Sequence, residues 1–338
     1  MVDVAIIGGG PCGLAAAVAV KRAGFSHVVI EKGAVADSIA KYPTYVTFFS
    51  TAERVSIAGI PFVVATEKPT RREALAYYRA VVTHEGLDVR QDEHVHSLVR
   101  DGKEFVVTSE LRTGEKRETR TRAVVIATGY FGTPNMLGVP GEDLPHVSHW
   151  YREGHEAFQR DVIVVGGGNS GAETALDLFR SGARVTLVHF GPAFNHVIKP
   201  WVLADVEGRM QEGSIAVRWN TRVTEIRPGA VILERREGGL REGGLREGGL
   251  REIMRADRVY LMTGYTPSSE LLGPLGISFD PETGIPEHDP ATMETPVPGV
   301  FIAGVLASGN DANKIFIENG RDHGELIARH LRAGGLVG

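Results

Sequence analysis

The chain has 338 residues, 42% of them hydrophobic and 23% charged, with a net charge of −5. These proportions suit a globular protein long enough for two cores, give nucleic acid no basic footprint and contain no apolar run near the roughly 20 residues of a membrane helix. The one cysteine excludes an intrachain disulfide, so nothing demands an oxidising compartment. A strand starting at Val2 leaves no room for a signal peptide, and the expected location is cytoplasmic.

Val2–Ile7 is almost continuously apolar, as a buried parallel strand would be, and runs into Gly8-Gly9-Gly10-Pro11-Cys12-Gly13. Leu14–Ala23 is rich in Ala and Val and stops at Gly24, which predicts a helix. His27–Ile30 is the next strand, ending at Glu31. Phe105–Ser109 and Arg120–Ala127 read as further strands, the latter leading into Ala127-Thr128-Gly129. The first plan then repeats: strand Asp161–Val165, turn Gly166-Gly167-Gly168-Asn169-Ser170-Gly171, helix Ala172–Arg180, strand Arg184–Val188. Residues 238–252 are three copies of Gly-Gly-Leu-Arg-Glu. With two glycines in five they predict a surface loop between strands near Val231–Arg235 and Ile253–Val259. Arg258–Met262 runs into Thr263-Gly264, Val300–Ala303 ends at Gly304, and a helix-like tail follows.

Each glycine turn has the G-x-G-x-x-G spacing between a strand and a helix. The first glycine allows the tight turn, the second admits a pyrophosphate to the backbone, and the third lets helix and strand pack closely. Gly8, Gly10 and Gly13 fill these places in the first unit and Gly166, Gly168 and Gly171 in the second. Glu31 ends the second strand of the first unit, where a carboxylate accepts from both ribose hydroxyls. His189 holds the equivalent place in the second. A carboxylate there would repel a ribose 2′-phosphate, so its absence favours NADPH, with His189, His196 and Lys199 as candidate contacts. Two such turns suggest two dinucleotides held face to face, with hydride passing between a nicotinamide and a flavin. The fold class expected is α/β with two Rossmann-like domains. Residues 1–133 and 269–338 would form a discontinuous FAD domain and 134–268 the NADPH domain.

The chain resembles the two-dinucleotide-binding flavoproteins, and more narrowly the thioredoxin-reductase-like bacillithiol disulfide reductases. The residues carrying this are the first glycine turn, Ile30-Glu31-Lys32-Gly33, Tyr42-Pro43-Thr44 with Thr47-Phe48-Phe49-Ser50, and Ile198-Lys199-Pro200-Trp201. Glu294-Thr295, Gly299-Val300-Phe301-Ile302-Ala303-Gly304-Val305 and Ile315-Phe316-Ile317-Glu318-Asn319-Gly320-Arg321 complete it. Departures are the pentapeptide repeat, Phe190 where an arginine is expected, and Val305 where the wider superfamily has an Asp. For FAD the resemblance implies Pro11, Cys12, Lys32, Tyr42, Thr47, Phe49, Val95, Ala127, Thr128, Gly129, Gly304, Lys314 and Ile315 beside the glycines and Glu31. It also implies a helix starting around 313–315 whose N-terminus faces the reduced flavin. For NADPH it implies Asn169, Ser170, Lys199, Thr263 and Gly264. Relatives suggest a homodimer or larger, and a domain rotation about the crossovers near Gly129 and Gly264.

Where thioredoxin reductases carry C-x-x-C the chain reads Ser148-His149-Trp150-Tyr151, so no dithiol relay is possible. Cys12, at a helix N-terminus, is expected to have a pKa lowered by the helix, with the adjacent pyrophosphate pushing the other way and its bulk limiting access. It attacks a small disulfide, or merely fills space in the turn, or shapes the site while reduced flavin reacts with the disulfide directly. His323 and Glu325 are two apart on a helix and do not face each other. The leading expectation is an NADPH-dependent FAD enzyme that reduces bacillithiol disulfide. The alternatives are a cysteine-free ferredoxin- or flavodoxin-NADP reductase serving an electron-carrier protein, a flavin monooxygenase suggested by the second turn and His149, and a redox sensor using Cys12.

Overall fold

The computed structural model describes residues 1–196, 198–235, 249–268, 270–311 and 314–335. They divide into two compact units. One comprises residues 1–40, 45–133 and 266 onward, and the other 41–44 and 134–265.

The first unit begins with β1 (Val2–Ile7), α1 (Pro11–Arg22) and β2 (His27–Ile30). Two single turns, α2 (Asp37–Ala40) and α3 (Ala52–Val55), precede α4 (Arg71–Glu85). A capping box between Thr70 and Glu73 starts α4, and Gly86 ends it in the left-handed region. Then come β3 (Val89–Arg90), β4 (Glu93–Asp101), β5 (Glu104–Leu111) and β6 (Lys116–Ile126). Strand β6 serves two purposes, and its sequence shows why. Its first half alternates charged and buried residues and pairs antiparallel with β5, one face in water. Its last four residues, Ala123–Ile126, are buried on both faces and pair parallel with β1.

In the second unit β7 (Val147–Ser148), β8 (Asp161–Val165), α5 (Asn169–Arg180), β9 (Arg184–Val188), α6 (Pro200–Gln211) and β10 (Ile215–Arg218) are followed by β11 (Thr221–Arg227), β12 (Ala230–Arg235), β13 (Leu250–Arg255) and β14 (Arg258–Leu261). Five of the strands form a parallel sheet in the order β10-β9-β8-β14-β7, and β11-β12-β13 form an antiparallel one. Alternation along β8 sorts its side chains. Val162 and Val164 pack with Ala172, Leu176 and Leu178 of α5, while Ile163 and Val165 pack with Val223, Val231 and Leu233 of the three-stranded sheet. The pentapeptide repeat needs a correction at its end. Positions 238–248 lie outside the described residues, but Leu250, Arg251 and Glu252 are strand, not loop, paired with Arg235, Glu234 and Leu233. The last copy's non-glycine residues find partners there: Glu252 takes the Arg218 guanidinium at 2.9 Å.

The chain returns to the first unit with β15 (Val300–Ile302), parallel to β6, then α7 (Ile317–Gly320) and α8 (His323–His330). Helix α8 lies against α1 at a close approach: a Cβ on Gly324 would stand 2.6 Å from Ala16 Cα. Phe301 on β15 is fully buried. Replacing it with Ala should cost about 3–5 kcal/mol, read as a lower denaturant midpoint for the first unit.

Candidate dinucleotide sites

In the first unit Gly8 holds φ at +110°, and a Cβ there would strike the Ala127 carbonyl. A Cβ on Gly13 would strike the Gly8 carbonyl. The N-cap of α1 is Gly10, with no side-chain cap, so first-turn N–H groups stay available to an anion. Glu31 is 6% exposed, and its carboxylate accepts from the N–H groups of Gly9 at 2.6 Å and Gly33 at 2.8 Å. Burial pushes its pKa up against these two donors. Lys32 places its ammonium where a Cβ on Gly132 would stand. The Thr128 hydroxyl is buried without a hydrogen-bond partner among the described residues, and Gly129 has φ +67°. An orphaned buried hydroxyl beside a glycine cradle fits a bound polar group.

The structure brings residues far apart in sequence to Cys12. A Cβ on Gly304 would lie 2.9 Å from Cys12 Cβ, and one on Gly320 would lie 3.0 Å from Sγ and 3.1 Å from Ile315 Cγ2. The Gly304 N–H donates to His323 Nδ1 at 3.2 Å. Burial, then His288, lowers the His323 pKa and keeps the ring neutral. The expected acidity of Cys12 is overturned: burial and the Asp322 charge push its pKa up to about 12. Desolvation outweighs the helix terminus.

The other first-unit positions are more scattered. Thr47 bridges Thr70, Phe49 is half exposed, and Val95 is buried in β4 beside a register shift. Tyr42 belongs to residues 41–44, which group with the second unit. The helix expected around 313–315 starts later, at Ile317, and has four residues; position 313 lies outside the described residues. Asn319 explains the delay. Its side chain accepts from the Phe316 N–H at 2.8 Å and donates to the Lys314 carbonyl at 2.9 Å, holding this stretch as a loop.

The second unit repeats the first turn's geometry. Gly166 has φ +138°, a Cβ there would strike the Met262 carbonyl, and one on Gly171 would strike the Gly166 carbonyl. Gly168 caps α5 with no side-chain acceptor. Asn169 Oδ1 accepts from the Lys199 N–H at 2.9 Å, and the Asn195 N–H donates to the Gly167 carbonyl at 2.9 Å. Ser170 is exposed. Thr263 Oγ1 donates to the Asn135 carbonyl at 2.6 Å, and Gly264 has φ +86°.

His189 is 3% exposed, with its ring packed beneath Gly167, 2.6 Å from where a Cβ would be. Burial lowers its pKa, and Nδ1 has no partner among the described residues. A neutral, buried ring thus stands where a charged phosphate contact was expected. Sequence reasoning missed Arg222, whose guanidinium lies 5.1 Å from the centroid of the Phe190 ring. No signal in the chain links positions so far apart. His149 is part of a buried clamp: its Nε2 lies 3.2 Å from Glu142, whose carboxylate accepts from the N–H groups of Leu137 and Gly138 at 2.7 Å each.

The raised Cys12 pKa predicts an alkaline signature. Below pH 9.0, its ordinary pKa, folded and unfolded chains are both protonated there. Between 9.0 and about 12 only the unfolded chain ionises, so stability falls as pH rises. Denaturation of Cys12→Ser against the parent should show the stability difference shifting in favour of the variant across that window. A pH-independent difference would contradict the burial argument.

The pyridine nucleotide-disulphide oxidoreductase family matches residues 5–304. The bacilliredoxin reductase of Bacillus subtilis (strain 168) is 43% identical over 96% of each chain. The solved bacillithiol disulfide reductase of Bacillus cereus is 41% identical, with TM-score 0.91 over 98% of this chain and 99% of that one. A ferredoxin–NADP reductase of Ignicoccus hospitalis is 26% identical over 99% of each. Among the described residues no helix is long and apolar enough to cross a membrane. With its two glycine-turn βαβ units in a thioredoxin-reductase-like fold, the chain belongs to the pyridine nucleotide-disulphide oxidoreductases, on their bacillithiol disulfide reductase branch.

Proposed function

We propose that this chain is an NADPH-dependent FAD flavoprotein that reduces a low-molecular-weight disulfide, bacillithiol disulfide. The observation carrying the reading is that one chain holds two complete glycine-turn units and a single thiol, whose pKa is raised by desolvation and the Asp322 charge. The likeness to a bacillithiol disulfide reductase over 98% of the chain supports the choice of disulfide.

In this reading the first unit holds FAD. Gly8, Gly10 and Gly13 would admit the pyrophosphate to the uncapped start of α1, and Glu31, which braces the turn, would take the ribose hydroxyls. Thr128, whose buried hydroxyl has no partner among the described residues, would offer it to the bound cofactor. Bound FAD supplies a two-electron store between a hydride donor and a disulfide. The second unit holds NADPH at Gly166, Gly168, Asn169 and Gly171. Overall, NADPH loses two electrons to become NADP⁺, one S–S bond breaks, and one proton is taken from solvent to give two thiols.

Cys12 forms no bond with the substrate in this account. At a pKa of about 12 almost none of it is thiolate near neutrality, and the thiolate is the nucleophile. Its place between Gly304 and Gly320 is that of a packing residue.

A second reading, a reductase serving an electron-carrier protein, is favoured by the full-length likeness to the ferredoxin–NADP reductase. One assay separates them. Anaerobic NADPH oxidation should accelerate with bacillithiol disulfide and not with ferredoxin or flavodoxin; the reverse would overturn the proposal. Cys12→Ser should keep FAD and turnover, whereas a covalent role would cost about a thousandfold in kcat.

A further inference from the structure

The 2′-phosphate that distinguishes NADPH from NADH needs a cation near the end of the second strand of the βαβ unit. In this chain that place is neutral. His189 is buried with its pKa lowered, and Phe190 stands where an arginine was expected. Phe190 is 62% exposed.

Strand β10 ends beside His189, but its Arg218 is paired with Glu252 at 2.9 Å; the following strand, β11, provides the charge. The Asn220 N–H donates to the Gly191 carbonyl at 2.9 Å, and the Thr221 N–H donates to the His189 carbonyl at 3.0 Å. These two bonds fasten the start of β11 to residues 189–191. Arg222 follows at once, opposite Glu234 in the strand register. It is exposed, and its guanidinium lies over the Phe190 ring at 5.1 Å from the centroid. Stacking fixes the plane of a guanidinium while leaving its edge N–H groups directed outward, the geometry in which arginine grips a phosphate.

We propose that Arg222, shelved on Phe190, is the residue that recognises the 2′-phosphate of NADPH. The proposal rests on the reading of the second turn as the NADPH site. In effect the cation has moved from position 190 to a neighbouring strand, and Phe190 has become its platform. An aromatic ring at 190 is then part of the site and not a loss from it. Lys199 remains a contributor from the N-cap of α6, its backbone N–H tied to Asn169 Oδ1.

The test is calorimetric binding of 2′,5′-ADP and 5′-ADP to the full-length protein as purified, for the parent, Arg222→Met, Arg222→Lys and Phe190→Ala. Arg227→Met, on the same strand and paired with Glu225, controls for net charge. The parent should bind 2′,5′-ADP more tightly. Arg222→Met should weaken it by about 10-fold or more, the size expected of a charged hydrogen-bonded contact, with 5′-ADP unchanged. Arg222→Lys should keep part of the preference, Phe190→Ala should lower it, and Arg227→Met should keep it all. Unchanged 5′-ADP binding reports that each variant retains an intact turn. A parent that prefers 2′,5′-ADP alongside an Arg222→Met variant that prefers it equally would overturn the assignment and leave the NADPH reading standing. A parent with no preference would overturn both.

Discussion

The architecture depends on two places where a strand, a helix and a crossing loop come closer than any side chain allows. In each unit the last glycine of the turn faces the carbonyl of the first, and the first faces the carbonyl of the residue before a Thr-Gly pair. That residue is Ala127 in the first unit and Met262 in the second, followed by Thr128-Gly129 and Thr263-Gly264, each glycine with positive φ. Add one methyl group at any of these contacts and the helix must move off the sheet. The cost of the close approach is a helix start without a side-chain cap, and that is what makes each turn receptive to an anion.

From this common frame the units diverge at the residue below the middle glycine of each Gly-Gly-Gly run, Gly9 or Gly167. Glu31 braces its turn by accepting from Gly9, a polar fit in which the carboxylate is a structural acceptor. His189 braces by volume alone, filling the space under Gly167 with a neutral ring. One unit therefore places a carboxylate below its turn and the other a neutral ring. The proposal of two different dinucleotides rests on that contrast, together with the cation that β11 brings to Phe190.

Much of this was legible in the chain because it is local. Continuous apolar runs at Val2–Ile7 and Asp161–Val165, each followed by glycines, announce buried parallel strands, and the repeat of the plan announces the fold. The less legible parts depend on tertiary contacts. Nothing in the sequence around Cys12 indicates that Gly304 and Gly320 will enclose it, so helix position alone misjudged its acidity. Asn319 holds Lys314–Phe316 out of the helix through side-chain bonds that periodicity cannot show. Arg222 acquires its place from backbone bonds between β11 and residues 189–191, invisible to any reading of the strand end alone. The strand character of Leu250–Glu252 was hidden by glycine counting, since cross-strand pairing with β12 overrides local propensity.

The central claim is that electrons reach a small disulfide without a protein dithiol or a reactive Cys12. Anaerobic rapid mixing tests it most directly: the protein is first reduced with one equivalent of NADPH, then mixed with bacillithiol disulfide while flavin absorbance is followed. The account predicts that the oxidised flavin spectrum returns with release of two thiols per flavin, in the parent and in Cys12→Ser alike. A flavin that stays reduced in the presence of the disulfide, or reoxidises only when Cys12 is intact, would contradict it.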